Sequence, residues 1–182
     1  MPDADATIQE QGGRTLLRFE RVLRHPPERV WSALTEPQEL AAWHPSPGEF
    51  EPREGGTVRY SAQTKVPDLP DGEVTDWEPP RLLGYTWGDD HLRWEVREHD
   101  DGSLLTLTHS FDDHFKVARD AAGWHVCLDR LTSMLDGALA GSEQDDQSRP
   151  LGWRELNSAY EARFGIPHDK ATPPPADPTG GG

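Results

Sequence analysis

The chain has 182 residues, 34% of them hydrophobic, and 33 acidic against 18 basic side chains give a formal charge of -15. Such a length supports one domain with a sizeable core plus tails, and the negative charge excludes a basic footprint for nucleic acid or anionic lipid. No apolar run approaches the roughly 20 residues of a membrane span, and the start MPDADATIQEQGG lacks secretory character, so a cytoplasmic protein without membrane insertion is expected. Burial is expected to concentrate in large rings, because the chain carries seven Trp, five Phe and three Tyr.

Residues 1–13 are polar, end in Gly12-Gly13 and read as a disordered leader. From Arg14 to Arg24, Leu17, Phe19 and Leu23 alternate with charged side chains, which predicts a first strand. His25-Pro26-Pro27 stops it, and Pro27 suits the first turn of a helix whose buried face is Val30, Trp31 and Leu34. Thr35 is the N-cap candidate of a second short helix, which runs through Leu40 and Trp43 and ends at His44-Pro45. Six short runs follow: Gly48 to Glu51, Thr57 to Thr64, Glu73 to Trp77, Leu82 to Trp87, His91 to Glu98 and Leu104 to Phe111. They are rich in β-branched and aromatic residues and punctuated by Gly, Pro and Asp, which predicts an antiparallel meander. Alternation puts Val58, Tyr60 and Ala62, then Leu83, Tyr85 and Trp87, Leu92, Trp94 and Val96, and Leu105, Leu107, His109 and Phe111 on an inner face.

Ala121 to Leu139 has a 3.6-residue period, with Trp124, Cys127, Leu128, Leu131, Met134, Leu135, Ala138 and Leu139 on one stripe and His125, Asp129, Arg130, Thr132, Ser133 and Asp136 opposite. It predicts one long helix laid across the sheet and ending at a Gly141 C-cap. Cys127 lies on the stripe and reads as an inert buried thiol. Residues 141–166 read as an acidic linker followed by a short helix, with Trp153, Leu156, Tyr160 and Phe164 packing it on the domain. Residues 167–182 read as a disordered Pro/Gly tail.

The order is strand, two short helices, six strands and one long helix. It resembles the helix-grip (START/Bet v-like) fold of the SRPBCC, or START-like, superfamily, an α+β fold in which a curved antiparallel sheet wraps the last long helix. The stretches FERVLRHPPERVWSALTEPQELAAW (Phe19 to Trp43), GEVTDWEPPRLLGYTW (Gly72 to Trp87) and GWHVCLDRLTSML (Gly123 to Leu135) are similar to the branch named after the activator of the heat-shock protein 90 ATPase. The resemblance covers residues 14–140 and implies a cavity between sheet and helix that holds a small, largely apolar or amphipathic molecule. A polyketide cyclase or hydrolase using the same cavity is the alternative, and a co-chaperone-like or other protein-interaction module a further one; homodimer formation is left open.

The candidate ligand contacts are Trp43, His44, Tyr60, Tyr85, Trp87, Trp94 and His109, with Trp124, Leu128 and Leu131 of the long helix. Trp43 and His44 close the second helix, where they either face a ligand or pack and cap the helix end. The polar tips of Tyr60, Tyr85, Trp87 and Trp94 need partners in an otherwise apolar wall. His109 is the candidate catalytic residue, because an imidazole between Leu107 and Phe111 is either a general base or a satisfied structural histidine. Arg21 either binds an acidic ligand group or pairs with a carboxylate of the sheet. Asp89-Asp90 and the other acidic pairs read as solvated turn residues. The histidines lack zinc spacing and no phosphate or dinucleotide loop occurs, so neither a metal nor a cofactor is expected.

Overall fold

A computed structural model of the chain describes residues 6–62, 64–138 and 149–171. Leu139, Gly141, the acidic stretch 141–148 and the residues beyond 171, for which a linker and a tail are expected, lie outside that set. The fold is α+β and of the helix-grip type. Its eight strands are β1 (Ala6–Gln11), β2 (Arg14–Leu23), β3 (Gly48–Phe50), β4 (Thr57–Tyr60), β5 (Gly72–Glu78), β6 (Leu82–Trp87), β7 (Asp90–His99) and β8 (Gly102–Phe111). They form one antiparallel sheet in the order β1-β2-β8-β7-β6-β5-β4-β3. The helices are α1 (Pro27–Thr35), α2 (Pro37–Trp43), α3 (Val117–Leu135) and α4 (Arg149–Phe164). Among the described residues no helix is long and apolar enough to cross a membrane.

The meander's alternation holds on β6, β7 and β8, where Leu83, Tyr85, Leu92, Trp94, Val96, Leu105, Leu107, His109 and Phe111 are all buried. It weakens at the far edge. The run expected to continue to Thr64 ends at Tyr60, which is half-buried, and Ala62 is exposed. Residues 6–11, expected within a disordered leader, form β1 instead, paired with β2 from Ala6 opposite Phe19 to Gln11 opposite Arg14. The Gly12-Gly13 step is a tight turn at positive φ that joins the two strands of this hairpin.

The helices start and stop where local chemistry dictates, which is not always where the stripe alone suggests. Pro27 opens α1 with its φ already set, and Glu28 stands in the first turn near the positive end of the helix. Thr35 does not cap α2: its hydroxyl donates back to the Trp31 carbonyl at 2.8 Å, and Glu36 takes the N-cap position. The long helix begins at Val117 rather than Ala121, after a 3-10 turn whose first amides are met by the Asp113 carboxylate, which accepts from Phe115 N–H at 3.0 Å. It ends at Leu135 rather than Leu139. Gly137 sits at φ +74, its N–H donates to Met134 at 3.0 Å, and Ala138 N–H donates to Ser133 at 2.8 Å, a Schellman stop that only a residue tolerant of the left-handed region makes cheaply.

On α3, Trp124, Cys127, Leu128, Leu131 and Leu135 face the core as the stripe requires. His125, expected on the solvent side, is buried because α4 covers it: its Nδ1 lies 2.9 Å from the Tyr160 hydroxyl. Tyr160 also meets Phe19 edge-on at 6.3 Å, and Arg163 donates to the Ala6 carbonyl at 3.1 Å. The last helix therefore ties α3 to the first hairpin.

Candidate functional site

Rings from five elements meet where α3 crosses the sheet. The end of α2 contributes Trp43 and His44, β6 contributes Tyr85 and Trp87, β7 Trp94, β8 His109 and α3 Trp124. Trp94 touches Trp43 at 5.5 Å and Trp124 at 5.6 Å; Trp124 in turn meets His44 at 5.5 Å, Trp87 at 5.6 Å and His109 at 6.0 Å, measured between centroids. Seven of the ten expected contact residues are thus in one cluster. Leu128 and Leu131 are buried one and two turns further along α3. Tyr60 stands apart, donating its hydroxyl to the Thr86 carbonyl at 2.5 Å.

Two buried polar relays run through the cluster. In the first, Ser46 N–H donates to His44 Nδ1 at 2.9 Å. A backbone amide can only donate, so the neutral His44 ring carries its proton on Nε2 and gives it to the Tyr85 oxygen at 3.1 Å. Trp94 Nε1–H donates to the same oxygen at 3.3 Å. Burial lowers the His44 pKa to about 3 and pushes the Tyr85 phenol above its ordinary value, so both stay neutral. The consequence is an unused donor: Tyr85 accepts twice, and its own O–H has no acceptor among the described residues. Trp87 supplies a second one, since its buried Nε1 has no partner among them either. Trp43, by contrast, is satisfied through the Ala33 carbonyl at 2.9 Å.

The lowered His44 pKa has a measurable outcome. Between pH 6.5 and about 3 the unfolded chain takes up a proton on His44 that the folded chain refuses, so this residue makes stability fall as pH drops through that window. His44→Gln is expected to flatten the acid limb of a urea-denaturation series there; an unchanged slope would contradict a neutral buried ring.

In the second relay, Trp124 Nε1–H donates to His109 Nδ1 at 3.0 Å, which leaves Nε2–H to donate to Asp90 Oδ2 at 2.8 Å. Lys116 reaches the same oxygen at 2.6 Å and Asp120 at 3.7 Å, and Arg119 donates to Asp120 at 2.9 Å. Burial by itself would raise the Asp90 carboxyl, but the hydrogen bonds from His109 and Lys116 and the Lys116 charge outweigh it and hold it below the usual carboxylate range. Asp90 is therefore no solvated turn residue, contrary to the expectation for Asp89-Asp90. Donor atoms of Asp90, His109 and Asp120 lie within 4.8 Å of one another, a spacing open to a metal, yet the Lys116 ammonium already supplies positive charge at two of them. As a general base, His109 would have to give up the Trp124 bond that occupies its second nitrogen. Arg21 pairs with Asp129 of α3 at 2.8 Å, so a helix rather than the sheet supplies the carboxylate beside it.

Sequence reasoning missed Phe50, which meets Tyr85 edge-on at 5.0 Å, and Ser46, Asp90 and Lys116. A signal for Asp90 existed. In the β7–β8 hairpin Leu92 pairs with His109, so the residue two before Leu92 shares that face, and starting the strand at His91 hid it. A cleft of about 310 Å³ lies on the other side of Phe50, between α1, β3 and β5, walled by Trp31, Phe50 and Trp77.

No curated protein matches the chain. The fold is similar to that of solved structures described as a conserved protein of unknown function, EF2215, from Enterococcus faecalis (23% identity, TM-score 0.69, covering 88% of this chain and 90% of that one) and CalU16 from Micromonospora echinospora (22%, 0.67, 86% and 94%). A third is the protein encoded by BPP1335 of Bordetella parapertussis (26%, 0.61, 91% and 89%). Residues 24–136 match the family described as activator of Hsp90 ATPase homolog 1-like protein. The chain belongs to that family, within the SRPBCC superfamily of helix-grip proteins, a family known for binding small molecules.

Proposed function

We propose that the protein binds a small, largely apolar molecule carrying an acceptor oxygen, seated between the sheet and α3 against β6. The observation that carries this reading is the pair of unused buried donors, Tyr85 O–H and Trp87 Nε1–H, two residues apart on one strand and amid aromatic rings. An unmet buried donor costs about 1–3 kcal/mol, and a pure packing core has no reason to keep two on one face. Apolar walls give the ligand its binding energy and the two donors fix its orientation. Because the rings are in contact, the ligand displaces side chains on binding, and Phe50, between the outer cleft and Tyr85, is the ring whose turn opens a path.

The probe pair 2-acetylnaphthalene and 2-ethylnaphthalene differs in one carbonyl acceptor. The wild-type protein is expected to bind the ketone about tenfold more tightly in isothermal calorimetry, one good hydrogen bond to a buried donor. The double variant Tyr85→Phe, Trp87→Phe keeps the rings, removes both donors and is expected to bind the two alike. A preference that survives in the variant, or none in the wild type, sinks the proposal. A hydrolytic or cyclase role is the second reading, favoured by the Asp90-oriented His109 ring; it requires His109→Ala to abolish turnover of a bound substrate while leaving its affinity intact.

A further inference from the structure

The cleft between α1, β3 and β5 has the opposite chemistry to the interior. Its aromatic wall is Trp31 and Trp77, edge to face at 5.2 Å, with Phe50 tilted 6.3 Å from Trp77. Its lining includes the exposed acidic residues Glu36 and Glu49, and among the described residues neither is in an ion pair and no Lys or Arg lines the cleft. The hydroxyls facing it, Ser32 and Thr35, already donate their protons to backbone carbonyls of their own helix, at 3.3 and 2.8 Å, so only their lone pairs are available. Pro37 and Pro52 bring no N–H. This wall also stands at the C-terminal end of α1, where the helix dipole is negative.

We propose that this cleft is a binding site for a small organic cation, an ammonium group on an apolar body. Indole faces attract a cation through their quadrupole, most strongly for Trp, and a lining whose charged residues are two carboxylates favours positive charge over neutral or anionic ligands of the same shape. A volume of about 310 Å³ stands at the low end of small-molecule sites, which sets the size class. The inference goes beyond the interior site and is independent of it: Tyr85 and Trp87 do not line the cleft.

The test is a titration followed by the indole N–H signals in NMR. The probes are benzyltrimethylammonium, its uncharged carbon isostere neopentylbenzene, and phenylacetate. The cation is expected to shift the Trp31 and Trp77 signals and to bind at least tenfold more tightly than either of the others. In the double variant Glu36→Gln, Glu49→Gln, which changes two exposed side chains, that advantage is expected to fall about fivefold with the fold unchanged by circular dichroism. Trp77→Leu is expected to cost about threefold in cation affinity. Equal binding of cation and isostere, no binding at millimolar cation, or an advantage unmoved by the double variant overturns the proposal. Tighter binding of an oligolysine peptide than of the small cation also overturns it, in favour of a protein partner. The Tyr85→Phe, Trp87→Phe protein is expected to retain the cation response, so failure of either site is recognised separately.

Discussion

Asp90→Ala is expected to be the most damaging single change in the described structure, lowering stability by about 3 kcal/mol, because it strands two partners at once. His109 Nε2–H is fully buried with no alternative acceptor among the described residues, and the Lys116 ammonium, 17% exposed, keeps the longer contact to Asp120 and its place over the Phe111 ring at 4.8 Å. For a chain of this size such a loss corresponds to a fall of roughly 6–12 °C in Tm. The sign of the pH dependence is fixed by the lowered pKa of Asp90. A carboxylate whose folded pKa is depressed contributes stability above its unfolded value, near 3.9, and loses it as pH falls through the folded one. The gap between wild type and variant is therefore expected to hold from neutral pH to about 4 and to close below that. A gap that persists unchanged into strong acid would mean that the loss comes from packing and not from the ion pair.

Trp124→Leu is the second large effect, about 4 kcal/mol by guanidinium denaturation, at the middle of the range for truncating a buried aromatic side chain. Trp124 is 2% exposed, touches four other rings and donates to His109 Nδ1. Trp124→Phe separates the contributions, since it retains most ring contacts and removes only the donor. It is expected to cost about 1–2 kcal/mol, the penalty of one unmet buried acceptor. Equal losses for Leu and Phe would show that the hydrogen bond, and not the packing, carries the site.

The fold was legible because its signals are local. The stripe from Trp124 to Leu135, the alternation from Leu82 to Phe111 and the Pro-Pro stop before α1 each follow from a period or a missing amide. What escaped depends on neighbours distant in sequence. β1 is polar except for Ala6 and Ile8, and only its pairing with β2 orders it. His125 reads as solvent-facing on its own helix and is covered by Tyr160, 35 residues away. The candidate site was half legible on the same ground. Alternation found the rings that meet where α3 crosses the sheet, but not the aromatic-walled cleft that Phe50 also lines. Side-chain volume in three dimensions, which no period encodes, decides where space remains.

The segment shared with the family stops short at both ends of what holds this molecule together. Strand β2, to which the central β8 is zipped along nine residue pairs, begins ten residues before residue 24, and the hairpin in front of it is latched by Arg163 and Tyr160 from far downstream. A recombinant piece trimmed to 24–136 would present β8 as a bare, sticky sheet edge and leave His125 and Phe19 uncovered or missing, the circumstances in which chains recruit one another edge to edge. For this protein the unit of folding is longer than the unit of family likeness.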